Sequence, residues 1–132
     1  MARILLVDDN VDILLLLSAY LGACGFEVEL ACDVAQARSY LEQAHVDLIV
    51  SDFNMPGESG FDLLEHVLRR YPGLPFILMT GLATSRIRDE AMKRGCSGYI
   101  EKPFELKEIF CAIARWLPVP QAEWPQSRPS PG

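Results

Sequence analysis

The feature of this sequence that most restricts its fold is a fivefold alternation between short apolar runs and longer amphipathic stretches. The stretches have the apolar periodicity of helices. The apolar runs predict five β-strands, at Ile4–Val7, Glu27–Leu30, Leu48–Val50, Phe76–Met79 and Tyr99–Ile100. Strict alternation of strand and helix is typical of a parallel sheet that is covered by helices on both faces.

The composition of the strands predicts their order in the sheet. Three runs, ILLV, LIV and FILM, are continuously apolar, as in strands that are buried on both faces. Glu27–Leu30 alternates charged with apolar residues, and Tyr99–Ile100 is short with polar neighbours, so these two are predicted to be edge strands. The resulting order 2-1-3-4-5 defines a flavodoxin-like, doubly wound (βα)5 fold of the α/β class. Ligands of such sheets bind at the carboxyl ends of the strands, where the strand order reverses.

The sequence predicts how the third and fourth helices pack and where the two histidines lie. The spacing in the third helix turns one apolar face inward, formed by Phe61, Leu64, Leu68 and Tyr71. His45 and His66 are expected on helix surfaces or at helix ends. The fourth helix, from about Ser85 to Arg94, is mostly charged and should bury little surface, so we expect it to be among the least firmly held parts of the domain.

Charge and hydropathy exclude several classes of protein. The formal net charge of −6 provides no basic patch for a nucleic acid or an anionic membrane surface. The longest apolar run, Ile13–Leu17, is too short to span a bilayer, and no secretory signal precedes it, so a cytoplasmic location is expected. The cysteines form no C-x-x-C pair and are expected to be buried reduced thiols at Cys24, Cys32, Cys96 and Cys111.

Acidic residues follow the first and third predicted strands. Asp8 and Asp9 come directly after the first, and Asp52 comes after the third. Three carboxylates close together repel one another unless a cation offsets their charge, and Mg²⁺ or Mn²⁺ suits such oxygen ligands. Asn54, two residues after Asp52, can add its backbone carbonyl. An acid at a single strand end is equally well explained as a helix cap, so Asp8 and Asp9 alone do not decide between the two interpretations.

The ends of the fourth and fifth predicted strands add a hydroxyl group and an ammonium group. The fourth ends in Thr80-Gly81 and the fifth is followed by Lys102-Pro103. Together with the acids, these residues supply what phosphoryl transfer to a carboxylate needs: a nucleophile, a cation, a hydroxyl donor and a fixed positive charge. Gly81 leaves room for the phosphoryl group. Pro103 stiffens the turn that holds Lys102, and its peptide bond is a candidate for the cis form.

At these strand ends the sequence resembles the receiver domains of two-component response regulators. The residues that carry the resemblance are ILLVDDN at Ile4–Asn10, SDFNMPGESG at Ser51–Gly60, LMTG at Leu78–Gly81 and YIEKPF at Tyr99–Phe104. Each motif is of modest specificity, but four in this order, one for each of four strand ends, are highly specific. Residues 1–117 are therefore expected to form a receiver domain, and residues 118–132 a Pro-rich disordered tail or linker.

The resemblance implies a role for each acidic residue. Asp52 is similar to the phosphoacceptor, which takes a phosphoryl group from a sensor histidine kinase or a phosphotransfer protein. Asp9, Asp52 and the backbone carbonyl of Asn54 are similar to direct magnesium ligands, with Asp8 acting through water. The family is a signalling domain and not an enzyme, and its own chemistry is limited to self-phosphorylation from a donor and self-dephosphorylation.

The resemblance also implies a switch. Lys102 is similar to the lysine that pairs with the phosphoryl group, Thr80 to the residue drawn towards it, and Tyr99 to the aromatic residue that turns inward in the active state. We expect helix 4, strand 5 and helix 5 to form the face that relays the signal to a downstream protein target or effector domain. A phosphorylation-dependent homodimer is left open by the sequence, as are the cognate kinase and the output.

Three other functions are weighed against this one. A magnesium-dependent phosphohydrolase with an aspartyl nucleophile typically has D-x-D after the first strand, whereas Asp8 and Asp9 are adjacent here. A nucleotide- or flavin-binding domain needs a Gly- or Ser/Thr-rich phosphate loop at the same place. A receiver-fold module that acts only by protein contacts, without phosphorylation, would not need the complete set of chemical residues.

Overall fold

Strands and helices alternate along the chain, as the sequence predicts. The computed structural model describes residues 2–81 and 85–118. In this part of the chain the strands are β1 (Arg3–Val7), β2 (Glu27–Ala31), β3 (Leu48–Asp52), β4 (Phe76–Thr80) and β5 (Gly98–Glu101). The helices are α1 (Val11–Ala23), α2 (Val34–Gln43), α3 (Gly60–Arg70), α4 (Ser85–Lys93) and α5 (Leu106–Ala114).

The strands form one parallel sheet in the order β2-β1-β3-β4-β5, which confirms the predicted flavodoxin-like topology. β3 and β4 are buried along their whole length, whereas the edge strands β2 and β5 are partly exposed. β1 pairs with β2 on one side and with β3 on the other. The strand order therefore reverses between β1 and β3, and a crevice is expected at the carboxyl ends of these two strands.

Each face of the sheet is covered by its own layer of helices. Side chains alternate along a strand, so Ile4 and Leu6 pack on one face, and Leu5 and Val7 on the other. α1 and α5 cover the first face, while α2, α3 and Ala91 of α4 cover the second. Within residues 2–81 and 85–118, no helix has the length and the apolar content that a bilayer crossing requires.

Side-chain caps determine where α1 and α3 begin. Asn10 caps α1, because its side-chain oxygen accepts hydrogen bonds from the backbone N–H groups of Asp12 and Ile13. Ser59 caps α3 in a reciprocal pair with Asp62, whose carboxylate accepts from the backbone N–H of Ser59 at 2.8 Å. The loops after β1 and β3 are thereby anchored to helix ends.

The packing face of α3 differs from the prediction. Leu68, expected to point inward, is 41% exposed, and Leu63 and Val67 are fully buried in its place. His66, expected on the surface, is only 8% exposed. The apolar residues of α3 fit two overlapping stripes, and the helix packs on the sheet by the stripe that contains Leu63. Rotation to this stripe also turns His66 towards α2.

Two of the four cysteines also differ from the prediction. Cys24 and Cys96 are buried, whereas Cys32 and Cys111 are exposed, and all four are free thiols. Cys32 lies in the turn after the edge strand β2, and Cys111 lies on the outer side of α5, so neither position is covered by a second layer. Of the predicted tail, residues 118–132, all but Pro118 lie outside the described residues.

Candidate functional site

Three carboxylates converge at the carboxyl ends of β1 and β3. Asp8 and Asp9 directly follow β1, and Asp52 is the last residue of β3. One side-chain oxygen from each of the three lies within 4.8 Å of the others. Asp8 and Asp52 are buried, whereas Asp9 is exposed. Because β1 and β3 are neighbours in the sheet, this cluster lies where the strand order reverses.

The ammonium group of Lys102 lies between two of these carboxylates. Its Nζ is 3.0 Å from Asp8 Oδ2 and 3.0 Å from Asp52 Oδ1. Lys102 directly follows β5, and its backbone N–H donates to the carbonyl oxygen of Thr80 at 2.8 Å. The Lys102–Pro103 peptide bond is cis, which confirms the prediction for Pro103. The end of β5 thus brings a positive charge to the acidic cluster.

The protonation behaviour of the cluster follows from burial and from these ion pairs. Burial raises the pKa of the Asp52 carboxyl, and the neighbouring charges of Asp8 and Asp9 act in the same direction against the opposing effect of Lys102. Burial acts to lower the pKa of the Lys102 ammonium group, but its hydrogen bonds to Asp52 and Asp8 outweigh burial and raise it. A further cation beside Asp52 would relieve the repulsion among the carboxylates.

Both side-chain oxygens of Asp8 have partners within the protein. Oδ1 accepts a hydrogen bond from the backbone N–H of Asn10 at 2.9 Å, and Oδ2 accepts from Lys102 Nζ at 3.0 Å. The backbone N–H of Asp8 donates to the carbonyl oxygen of Ala31 in the neighbouring strand at 3.1 Å. Asp8 is therefore fixed in place, while the exposed Asp9 remains accessible from solvent.

The other predicted site residues lie around this cluster. Thr80, the last residue of β4, is fully buried one position past Met79, which pairs with Asp52. At Gly81 no described atom lies within 4 Å of the position that a Cβ would take. Asn54 is exposed in the loop after β3. Tyr99 differs from the other predicted site residues because it lies within a strand and not at or after a strand end.

Tyr99 lies on β5 opposite Leu78, two residues before the end of each strand. It is half-buried, and its hydroxyl group is buried without a hydrogen-bond partner among the residues that the structure describes. Burial raises the pKa of this phenol, and the charge of Glu101 adds to the effect. Its ring packs against the same apolar layer as Ala91 of α4.

Sequence reasoning missed a close backbone contact behind Asp52. A Cβ at Gly60, the first residue of α3, would lie 2.7 Å from the carbonyl oxygen of Asp52 and 3.0 Å from the Cα of Phe53. The backbone N–H of Gly60 also donates to the carbonyl oxygen of Phe53 at 2.9 Å. The only signal in the sequence was the glycine that ends the motif SDFNMPGESG, and a glycine near a turn also has ordinary explanations.

Most of the chain is similar to one known protein family and to curated proteins. The family model of the response regulator receiver domain matches residues 4–114. The chain is 35% identical over 118 residues to the DNA-binding transcriptional regulator NtrC of Bradyrhizobium sp. (strain RP501 Parasponia), a match that covers 89% of this chain and 25% of that protein. It is 39% identical over 111 residues to Protein PetR of Rhodobacter capsulatus, which covers 84% of this chain and 46% of that protein. The chain thus spans only a quarter to a half of these curated relatives.

Two solved structures superpose on this chain over nearly the whole of their own length. The non-phosphorylated HemR receiver domain of Leptospira biflexa superposes with a TM-score of 0.83 at 30% identity, covering 98% of this chain and 99% of that one. The chemotaxis response regulator CheY4 of Vibrio cholerae superposes with a TM-score of 0.83 at 32% identity, covering 89% of this chain and 99% of that one. The chain therefore belongs to the response regulator receiver domains of two-component systems.

Proposed function

We propose that this domain accepts a phosphoryl group on Asp52, in a Mg²⁺-dependent reaction, from the phosphohistidine of a sensor histidine kinase or a phosphotransfer protein. The observation that carries the proposal is that Asp8, Asp9 and Asp52 converge with the Lys102 ammonium group at the carboxyl ends of the strands. These groups supply the nucleophile and the fixed positive charge that phosphoryl transfer to a carboxylate requires.

The chemistry is a displacement at phosphorus. A carboxylate oxygen of Asp52 forms a new O–P bond while the N–P bond to the donor histidine breaks, and the donor imidazole leaves with the electron pair. The Asp52 side chain then carries its charge on the phosphoryl oxygens and no longer as a carboxylate. Lys102, which contacts Asp52 before transfer, pairs with those oxygens afterwards. Attack of water on the phosphorus of the acyl phosphate then releases inorganic phosphate and restores the Asp52 carboxylate.

The donor set at the site suits a hard divalent cation. Asp9 and Asp52 are the better direct ligands, since both oxygens of Asp8 already accept hydrogen bonds from the protein, and Asp8 is assigned a contact through water. The backbone carbonyl of Asn54 is the third proposed protein ligand. When bound, Mg²⁺, or Mn²⁺ in its place, offsets the repulsion between these carboxylates and an incoming phosphoryl group.

The proposed switch uses the residues next to the cluster. Thr80 donates its hydroxyl group to the new phosphoryl oxygens, and Tyr99 responds by a change in the position of its ring. The phenol of Tyr99 is buried without a hydrogen-bond partner among the described residues, so a movement of the ring breaks no hydrogen bond of its hydroxyl group to them. α4, β5 and α5 then present an altered face to a downstream protein target, an effector domain or a second copy of the domain.

The test is incubation with acetyl phosphate and Mg²⁺ followed by intact-mass measurement. Wild type is expected to gain one phosphoryl group, and the Asp52→Asn variant none, because an amide is not a nucleophile. Chelation of the metal should abolish the gain in wild type. A phosphorylation-independent interaction module predicts no gain in either protein, and an assignment to another residue predicts a gain in both. Turnover of phosphate esters would instead indicate a phosphohydrolase.

A further inference from the structure

The loop between β3 and α3, residues 53–59, carries the proposed backbone ligand at Asn54. Its two ends are fixed by backbone hydrogen bonds. The N–H of Phe53 donates to the carbonyl oxygen of Met79 in β4 at 2.7 Å, and the N–H of Gly60 donates to the carbonyl oxygen of Phe53 at 2.9 Å. Asn54 itself is exposed. The position of its carbonyl group therefore depends on what holds the middle of the loop.

Met55 and Glu58 connect the middle of the loop to the rest of the domain. Met55 is buried in the same apolar layer as residues of α2 and α3. Glu58 pairs with Arg38 of α2, whose Nη2 donates to Glu58 Oε2 at 3.1 Å. Between these two side chains the loop turns through Gly57, whose φ is 84°. Because glycine permits many backbone conformations, the contacts of Met55 and Glu58 restrict a segment that its own backbone would leave free.

Arg38 is a well-held partner for the loop, because it lies on a helix that packs on the sheet. Ala37, beside it in the sequence, and Leu41, one turn further along α2, are both buried. The Nε atom of Arg38 is buried as well. The ion pair is partly shielded from water, with 35% of the Arg38 side chain and 43% of the Glu58 side chain exposed. An ion pair of this kind makes a modest contribution, which a binding measurement resolves.

We propose that Arg38 is a positioning residue for the metal site: its ion pair with Glu58 holds the loop in the form that presents the backbone carbonyl of Asn54 to Mg²⁺. The proposal rests on the proposed function, because it needs a cation that is bound by Asp9, Asp52 and this carbonyl. Groups that orient a ligand without touching the metal raise its affinity, since the ligand then loses less freedom on binding.

The charge of Arg38 gives the proposal a sharp test. Taken as a charge alone, a guanidinium group near the site opposes the binding of a cation, so its removal should tighten the binding of Mg²⁺. Taken as the partner that holds Glu58, its removal should weaken the binding. The two explanations therefore predict changes of opposite sign for the same variant.

The measurement is a titration of the full chain with Mg²⁺ alone, followed by NMR of the backbone amide signals of Asp9 and Phe53. Arg38→Gln and Glu58→Gln should each weaken Mg²⁺ binding about threefold. The double variant has the net charge of wild type, and it should be weakened no more than either single variant, because both substitutions remove the same interaction. Charge alone predicts wild-type affinity for the double variant.

A second ion pair provides a matched control. Arg3 and Glu27 also lie 3.1 Å apart, with 35% and 47% of their side chains exposed. They are the first residues of β1 and β2, so they lie at the opposite end of the sheet from the acidic cluster. Replacing both by glutamine should leave the affinity for Mg²⁺ unchanged.

The possible outcomes separate this proposal from the proposed function. Tighter binding by Arg38→Gln, wild-type affinity in the double variant, or an equal loss in the control pair overturns the role of Arg38. So does a variant that is less stable to urea but binds Mg²⁺ as wild type does, since the ion pair would then serve the fold alone. If Mg²⁺ shifts neither amide signal of wild type, the metal site of the proposed function is itself wrong, and the role of Arg38 is wrong with it.

Discussion

The backbone at Asp52 and Phe53 lies in close contact with Gly60, the first residue of α3. The atoms that a side chain at Gly60 would meet are the carbonyl oxygen of Asp52, the Cα of Phe53 and a methyl carbon of Leu78. Two of the three are backbone atoms, which cannot rotate away as the end of a flexible side chain could. Any larger residue at position 60 must therefore displace the end of β3 together with Asp52, the proposed phosphoacceptor.

The Gly60→Ala variant should accordingly lower the free energy of unfolding by about 1–3 kcal/mol and slow phosphorylation by acetyl phosphate. Gly22→Ala is the matched control, because Gly22 lies in α1 with no described atom within 4 Å of its Cβ position. That variant should raise the free energy of unfolding by about 0.5–1 kcal/mol. Urea denaturation measures both. Equal stability of Gly60→Ala and wild type would contradict the close approach to Asp52.

The residues that converge at the site could be predicted because the carboxyl ends of parallel strands all lie on the same side of a sheet. Asp8, Asp9 and Asp52 were each assigned to a strand end from local patterns, and the structure brings them together with Lys102. The ion pair between Lys102 and Asp8 was not predicted, and neither was the contact at Gly60. Both depend on the path of loops relative to distant strands, for which the sequence holds no local signal.

Among the helices, α1 is unusual because it is apolar on its exposed side as well as on its buried side. Val11, Leu15 and Leu16 are 54%, 58% and 51% exposed. A helix on the surface of a domain normally carries polar residues at such positions, and an exposed apolar patch often marks an interaction site. α1 begins two residues after Asp9, so this apolar face of α1 adjoins the acidic cluster.

We therefore expect the phosphorylated donor protein to dock on the apolar face of α1. Replacing Leu15 and Leu16 together by serine should slow phosphorylation by the sensor kinase at least tenfold, since losing two apolar contacts at an interface costs about 1.4 kcal/mol or more. Phosphorylation by acetyl phosphate should be unchanged, because a small donor needs no docking surface.

The initial rates of phosphorylation by each donor provide the measurement. Met92→Ser is the control, because Met92 is 50% exposed on α4 and should affect neither rate. A double serine variant that keeps the full rate with the kinase would place the donor on another surface.

The bounds of the strands were predicted closely, but the packing face of α3 was not. Buried strands are continuous apolar runs whose position in the sequence is unambiguous. Leu64 belongs to both apolar stripes of α3, so periodicity alone could not choose between a face with Leu68 and a face with Leu63. The choice depends on contacts with other elements, such as those between α2 and α3, and contacts between helices are not visible in either helix alone.

The buried position of His66 has a consequence for stability. Its Nε2 has no hydrogen-bond partner among the residues that the structure describes. Burial lowers the pKa of the imidazole, and the positive charge of Arg38 on α2 acts in the same direction. The folded state therefore keeps His66 neutral at a pH at which the unfolded chain, with a pKa of about 6.5, already binds a proton.

The free energy of unfolding should consequently fall as the pH is lowered from about 7 to about 5.5, because the unfolded state takes up more protons than the folded state. This contribution is at most about 1.4 kcal/mol per pH unit. His66→Gln should remove it, whereas His45→Gln, at a side chain that is 81% exposed, should retain it. Urea denaturation at several pH values gives the slopes, and identical slopes for wild type and His66→Gln would refute the expectation.

Across the whole molecule, the sheet connects the proposed phosphoacceptor, Asp52 on the central strand β3, to the edge strand β5, beside which α4 buries few of its side chains. Asp52 ends β3, and Lys102 follows the edge strand β5 but contacts both Asp52 and, through its backbone, Thr80. α4 lies between the ends of β4 and β5 in the chain. Of its side chains from position 86 to position 93, only Ala91 is buried. Little buried surface means a low free energy for local opening.

A phosphoryl group on Asp52 should therefore change the hydrogen exchange of residues 82–110 more than that of the rest of the domain. Hydrogen exchange with Mg²⁺ and beryllium fluoride, a phosphoryl mimic, should differ from exchange with Mg²⁺ alone by at least about threefold in peptides from residues 82–110. Peptides from α2 should be unchanged, because α2 packs on β2 and α3, and β2 is the edge strand farthest from β5 in the sheet. The Asp52→Asn variant, which cannot hold the mimic, should show no difference anywhere. If the mimic binds wild type and exchange in residues 82–110 stays the same, Thr80 and Lys102 do not transmit the signal to α4, and the responding face must lie elsewhere.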